Sequence, residues 1–192
     1  PRIIERPSGR VDLVFEVTEG QVVEIQRISF VGNRSFTDRR LRNAIESAQA
    51  GRLSTLFRVD NFNEARIARD RQVLQDFYLS RGYLDAQVTA AMTEITRERD
   101  GAFVTYTIRE GRQYRFGALS VVSELPGIDA GPYRAAMTNR TGALFTPNAL
   151  ESLIQQIERV GYQAGERFLR AEPRLTRNEH DGTIEVVFAL VR

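Results

Sequence analysis

The chain has 192 residues, 42% hydrophobic and 27% charged, with a formal net charge of +2. This is the composition of a globular polypeptide with one or two modest cores, and no apolar run reaches the length of a membrane-spanning helix. There is no Cys, all 27 basic residues are Arg, and the single His is His180, so disulfides, thiolate metal sites, Schiff-base lysines and the usual nucleophile–base pairs are excluded.

The chain opens at Pro1, not Met, on what reads as half of a structural element, as a fragment of a longer polypeptide would. Val11, Leu13, Phe15 and Val17 alternate with polar residues and predict a half-buried strand behind the turn Pro7-Ser8-Gly9, with Pro1–Glu5 as the other hairpin arm. Residues 22–31 are strand-like with a break in phase between Ile25 and Ile28. Phe36-Thr37 followed by Leu41 reads as a hydrophobic staple around a Thr N-cap, opening a helix that carries Leu41, Ala44, Ile45 and Ala48 and ends near Gly51. A longer helix spans about 63–81, with Ile67, Leu74, Phe77 and Tyr78 on one stripe and Gly82 as its stop. Two strands follow, about 86–95 and 104–108, joined by a turn at Asp100-Gly101 whose glycine is expected at positive φ.

The same plan then returns. Residues 113–122 are strand-like, Gly131-Pro132 opens a short helix carrying Tyr133, Ala136 and Met137, and Thr146-Pro147 supplies an N-cap and an N1 proline. Leu150, Leu153, Ile154 and Ile157 form the stripe of that second helix, with Gly161 closing it. A hairpin of about 167–176 and 184–190 turns at Asp181-Gly182. The repeat is visible in fixed offsets: Gly20, Ile25, Ile28 and Phe30 recur 91 residues on as Gly111, Phe116, Leu119 and Val121. Gly82-Tyr83 returns as Gly161-Tyr162, an offset of 79, and Asp100-Gly101 as Asp181-Gly182, an offset of 81.

Self-similarity of this kind marks duplicated modules. The expected class is α+β: tandem β-α-α-β-β units, each a three-stranded mixed sheet in the order first–third–second, with two helices on one face. Residues 1–22 would be the terminal hairpin of a preceding unit, 23–111 and 112–192 the two complete units. The short spacers between them predict a stiff, slightly articulated rod.

Candidate chemistry is sparse. His180 lies in a turn with no second ligand or base nearby, and Glu94, Glu98 and Asp100, like Glu46, Asp60 and Asp70, read as caps and solvating charges. Arg66, Arg69 and Arg71 read as a solvated helix face interspersed with Glu64 and Asp70. An RNA-binding KH module would need a Gly-x-x-Gly loop, absent from Ala50-Gly51-Arg52-Leu53 and Thr141-Gly142-Ala143-Leu144. No cofactor, metal or nucleic acid is expected. What stands out is the second strand of the first unit, placed at a sheet edge: Ala86, Gln87, Val88, Thr89, Ala90, Ala91, Met92 and Thr93 are small and uncharged between Asp85 and Glu94. Natural edges carry charge or proline, so one left this open can accept an extended peptide or be covered by a neighbour. Its counterpart in the second unit carries Arg170, Glu172, Pro173 and Arg174.

The order Ile25-x-x-Ile28-x-Phe30-x-Gly32-Asn33, then Phe36-x-x-x-x-Leu41, then Asp70-x-x-x-Leu74-x-x-Phe77-Tyr78-x-x-x-Gly82-Tyr83 resembles the POTRA domain, and the resemblance covers essentially the whole chain. The second unit departs from it where Ser123-Glu124 replaces Gly32-Asn33. The resemblance implies the end of a second POTRA followed by a third and a fourth. It implies the periplasmic part of a Gram-negative outer-membrane protein whose C-terminal membrane barrel lies outside this sequence. It further implies non-catalytic docking of unfolded outer-membrane proteins, by β-augmentation, and of accessory lipoproteins. The alternatives are a POTRA pair of a two-partner secretion or autotransporter-assembly transporter, and a passive spacer that binds no client.

Overall fold

Alternation of apolar and polar residues, clearest in the central strands, builds the two three-stranded sheets of the computed structural model, which describes residues 2–5, 11–14, 23–45, 62–98 and 101–192. An isolated antiparallel pair, β1 (Arg2–Glu5) and β2 (Val11–Val14), comes first. The expected turn at 7–9, the end of that strand at Phe15 and Val17, and the spacer at Glu19-Gly20 lie outside the described residues. Next come β3 (Glu24–Val31), α1 (Asp38–Arg42), α2 (Glu64–Leu79), β4 (Gln87–Ile95) and β5 (Gly101–Arg109). The second set is β6 (Arg115–Ser123), α3 (Gly131–Ala136), α4 (Pro147–Gln163), β7 (Arg170–Asn178) and β8 (Thr183–Val191).

In each sheet the last strand is central, parallel to the first and antiparallel to the second: β3-β5-β4 and β6-β8-β7. The order is the one expected from connectivity, because the hairpin must be antiparallel while the two intervening helices allow a parallel return. The central strands turn Val104, Tyr106 and Ile108, and Ile184, Val186, Phe188 and Leu190, toward the helices, each residue buried. The break in phase between Ile25 and Ile28 is a register shift between Ile25 and Arg27, repeated in β6 between Phe116 and Leu119.

Helix starts follow the side chains available to cap them. Thr37 accepts from the amide of Arg40, Asn63 from Ala65 and Arg66, and Thr146 from Ala149 with Pro147 at the first turn. Three expectations are corrected. The first helix stops at Arg42 and not near Gly51, though Leu41 and Ile45 are buried as expected. Gly101 is the first residue of β5 and does not have positive φ; a Cβ there would sit 2.3 Å from the Gln26 amide nitrogen, so the glycine answers a close approach. Gly161 does not close α4. It is buried inside the helix against Leu169, and the stop is Gly165, at φ +91°. The structural equivalent of Gly82 is therefore Gly165, an offset of 83 residues, as between the N-caps Asn63 and Thr146. Alignment on the Gly-Tyr pairs slips the helices by one turn.

With that register, Asp70 corresponds to Leu153, Tyr78 to Gly161, and Tyr106 to Phe188. Asp70 is not the solvating charge its sequence context suggested. It is fully buried and accepts a 3.0 Å hydrogen bond from the Tyr106 hydroxyl. At the other end of α2, the Tyr78 hydroxyl donates to Glu110 at 2.8 Å. Glu110 also accepts from the Ser35 amide at 2.9 Å and its hydroxyl at 2.8 Å. Phe77 and Tyr83 each pack edge-on against Phe36 and Tyr78, which also meet edge-on, with Arg81 stacked 3.6 Å over the Phe77 ring. Gly32, at φ +90°, is required where this turn meets β5, because a Cβ would fall 2.0 Å from the Ile108 carbonyl oxygen.

The modules meet at the loop after α2. Gly82 offers its carbonyl to the Tyr114 amide at 2.8 Å, and the Arg81 carbonyl accepts from the Gln113 side chain at 3.0 Å. Leu84 packs against the second core, and Asp85 pairs with Arg177 at 2.9 Å. The junction joins main chain, apolar surface and charge across a short connection.

The second module performs the work of the Asp70–Tyr106 pair with Leu153 and Phe188. Tyr106→Phe alone should destabilise the first module by about 1–3 kcal/mol, the cost of depriving a buried carboxylate of a donor. Combining it with Asp70→Leu should recover most of that loss in urea unfolding; additive losses would refute the equivalence. Burial first, and then Glu110 or Asp70, pushes the Tyr78 and Tyr106 phenols far above their usual range. Below about pH 10 folded and unfolded chains both keep these protons; above it the unfolded chain releases them and the folded one does not, so stability falls as pH rises. Phenolate absorbance from the buried tyrosines should appear together with loss of circular dichroism, not before it.

Candidate functional site

The exposed margin of the first sheet is β4. Its first residues are not free. Arg71, projecting from α2, donates to the Val88 carbonyl at 3.1 Å, and Val88 itself is a core residue. The register shifts between Val88 and Ala90, leaving Thr89 as a bulge whose hydroxyl donates to the Thr107 carbonyl. Such bulges and caps interrupt an edge and limit strand addition there. From Ala90 to Ile95 pairing with β5 is unbroken, Ala90 opposite Thr107 and Ile95 opposite Ala102. No further strand covers this stretch among the described residues.

The eight residues singled out from sequence thus fall into three groups. Ala86 precedes the strand, Gln87, Val88 and Thr89 form its capped and bulged start, and Ala90, Ala91, Met92 and Thr93 lie on the regular margin. Glu94 and Ile95 extend that margin beyond the expected set, Met92 and Ile95 being 61% and 51% exposed. Composition alone has no means of locating the cap, because Arg71 is 17 residues away in sequence.

Beside the margin runs a groove of about 310 Å³, lined by Phe62 just before α2, by Glu64, Ile67, Ala68 and Arg71 from the first turns of α2, and by Ala91 and Thr93 from β4. Ala91 and Thr93 pair with Tyr106 and Val104, so they lie on the helix-facing side of the sheet. Their small size holds the space open. The floor is apolar, through Phe62 and Ile67, and the rim carries one acid and one base, Glu64 and Arg71. An extended chain added beside Ala90–Ile95 would direct every second side chain into this groove.

The second module defends the corresponding margin. Glu158 of α4 accepts from the Ala171 amide at 3.2 Å, Pro173 removes a donor, and Arg174 pairs with Glu124 at 2.7 Å across the sheet. Glu124 stands where the first module has Asn33, so the remodelled turn supplies the partner of an edge arginine.

Among the described residues the rest of the polar inventory is dispersed. His180 is an exposed turn residue, its Nδ1 2.6 Å from the Asp181 carboxylate. Among the described residues no group of His, Asp and Glu is arranged to hold a metal, and no described helix is long and apolar enough to cross a membrane. Arg66, Arg69 and Arg71 do not act as one patch, since Arg71 is turned back onto β4.

Two β-α-α-β-β modules joined by a short connection, the first with an open sheet margin, define a tandem array of small α+β modules. Residues 23–111 match the family model described as POTRA, surface antigen variable number repeat. The first complete module belongs to the POTRA family, and residues 112–192 repeat its fold. Over 97% of its length the chain is 22% identical to the outer membrane protein assembly factor BamA of Neisseria meningitidis, and over 99% it is 26% identical to BamA of Neorickettsia risticii. It spans about a quarter of the length of these relatives (24% and 25%). Its fold is shared with the Haemophilus influenzae BamA POTRA3-5 crystal structure, at TM-score 0.61 and 19% identity over 89% of this chain and 66% of that one. A Haemophilus ducreyi BamA lacking POTRA domains 1-3 gives TM-score 0.56 and 16% identity over 87% of this chain and 29% of that one.

Proposed function

We propose that this chain is a periplasmic scaffold segment of an outer-membrane protein assembly factor, corresponding to the end of a second POTRA module and the third and fourth modules. In this reading the first complete module docks unfolded outer-membrane strands by main-chain augmentation along Ala90–Ile95. The observation that carries it is the pairing of an uncovered regular margin with the groove at Ala91 and Thr93. Main-chain hydrogen bonds at an edge are blind to sequence, while a shallow apolar groove favours a strand that is apolar at alternate positions. Strands destined for a lipid-facing barrel have that pattern. Accessory lipoproteins and the protein's own membrane barrel are the other partners of this reading, supported by the relatives named as assembly factors. The cap by Arg71 sets a limit: pairing begins at Ala90, not at Ala86.

The test is an NMR titration of the isotope-labelled chain with an extended peptide of alternating apolar and polar residues. Amide shifts should concentrate on Ala90–Ile95 and leave β7 unmoved. Ala68→Trp, at an exposed helix position on the groove, should weaken binding about tenfold or more while changing stability by less than about 0.5 kcal/mol. An absence of shifts at saturating peptide would favour the passive spacer, and shifts on β7 instead would place the docking edge in the wrong module.

A further inference from the structure

The two modules share one buried plan and carry different charge around it. With the long helices in register, Arg81 of the first module corresponds to Ala164 of the second, 83 residues on. Leu41 and Tyr133, the buried residues of the short helices α1 and α3, stand 92 residues apart, as do Arg42 and Arg134. Arg42 and Arg134 each donate to a carbonyl of their module's first strand, Ile28 and Val121, both at 3.2 Å. That register sets Arg39 and Arg40 against Gly131 and Pro132. Arg42 thus belongs to the framework, whereas Arg39, Arg40 and Arg81 are charges without which the second module folds the same way.

Two of these charges converge on one aromatic ring. The Arg40 and Arg81 guanidiniums each lie 5.9 Å from the centre of Phe36, and Arg81 also stacks 3.6 Å over Phe77. Arg81 is held in place through one nitrogen, Nη1, which donates to the Phe77 carbonyl at 2.8 Å and the Ser80 hydroxyl at 2.9 Å. Burial, and then the positive charge of Arg40, draws the Arg81 guanidinium below its usual range. Among the described residues no carboxylate pairs with Arg39, Arg40 or Arg81. The acids around α1 and the end of α2 are engaged elsewhere. Asp38 accepts from the Asn33 side chain at 2.8 Å, Asp76 from Gln72 at 2.9 Å, and Glu110 from Ser35 and Tyr78. Two like charges are therefore brought together over a ring whose face offsets only part of their repulsion.

We propose that the Arg40–Arg81 pair, with Arg39 beside it, is a docking site for an acidic segment of another polypeptide, whose carboxylates the two guanidiniums bridge. Planar guanidinium forks match carboxylates, and Arg81 is fixed in advance by its aromatic stack, so binding costs little further ordering of that side chain. An anionic membrane surface is the poorer occupant. Phe36 and Phe77 pack against the core, and the exposed large apolar side chains of this module, Val31, Met92 and Ile95, lie on its strands. The patch has no apolar anchor to insert, and basic charge alone holds a bilayer weakly. The site uses no residue of β4 or of the groove beside it, so its failure and that of the strand-docking reading are separable.

Fluorescence anisotropy with a labelled peptide of alternating Glu and Ala tests this, against the same peptide with Gln in place of Glu. The Glu peptide should bind the 192-residue chain and the Gln peptide should not, and the affinity should fall as salt is raised. Arg40→Glu should weaken binding about tenfold or more, the loss of a charge-assisted contact. Arg159→Glu makes the same charge change on α4 and should leave binding within about twofold, because distant exposed charges are screened. Both arginines are exposed, and matched circular dichroism melts check that each variant is folded; Arg40→Gln replaces the reversal if that variant melts early. No salt-sensitive binding of the Glu peptide, or equal losses from Arg40→Glu and Arg159→Glu, overturns the proposal. Arg40-dependent binding to phosphatidylglycerol vesicles in place of the peptide overturns it as well and assigns the patch to a membrane.

Discussion

The carboxylate of Glu110 holds the first module together at the point where the chain leaves it. It lies directly after β5, nearly buried, and takes donors from both sides: the amide and hydroxyl of Ser35 in the turn after β3, and the hydroxyl of Tyr78 near the end of α2. A charged acceptor with several donors is stable in such a place, whereas a lone carboxylate would not be. Through Tyr78 it fixes the last turn of α2, and so the position of Gly82 and the loop behind it. That loop then serves two purposes. Its carbonyls and Leu84 seat the second module, and its end starts β4, the strand whose outer margin is open. The angle of the junction and the presentation of the edge depend on one buried acid.

The two modules solve the same packing problem with different chemistry. Where the first joins helix to sheet through Asp70 and Tyr106, the second uses Leu153 and Phe188; where the first places Tyr78, the second has Gly161, which lets Leu169 lie close against α4. The apolar version loses nothing in burial and avoids any demand for matched donors, consistent with buried polar pairs contributing specificity more than stability. The polar pairs in the first module are satisfied only when α2, β5 and the turn after β3 have one relative position. A module whose β4 edge has no further strand among the described residues to fix its register gains from that definition.

How legible this was in the sequence depended on the range of the interaction. Strands declared themselves through period-two alternation, and Thr37, Asn63 and Thr146 through capping chemistry, because those signals are local. The sheet order followed from connection lengths. The helix register of the second module was misread because Gly161-Tyr162 copies the letters of Gly82-Tyr83 one turn early: a glycine packed inside a helix and a glycine ending one are the same residue type with different causes. Asp70 looked like a solvating charge because its partner, Tyr106, is 36 residues away, and the Arg71 cap on Val88 was hidden for the same reason. The edge itself was legible as small uncharged residues; its true starting point was not, since a bulge is a property of two strands together.

An exposed edge is dangerous to any protein in proportion to its length and flatness. Here the danger is confined. The Arg71 cap and the bulge at Thr89 remove the start of β4 from pairing, and in the second module Glu158, Pro173 and the Arg174–Glu124 pair defend the equivalent strand. What is left is a six-residue stretch, Ala90–Ile95, beside a groove floored by Phe62 and Ile67. Six residues of edge give few main-chain hydrogen bonds, each contributing about 1 kcal/mol net. Ordering an extended chain costs about as much per residue, so main-chain pairing alone comes close to break-even. In the proposed reading, retention of a bound strand would then rest on alternate side chains entering the groove, and the shallowness of that groove would keep the retention weak. Under the proposed docking reading, a strand taken up here would be released intact, as a site that hands its occupant onward requires.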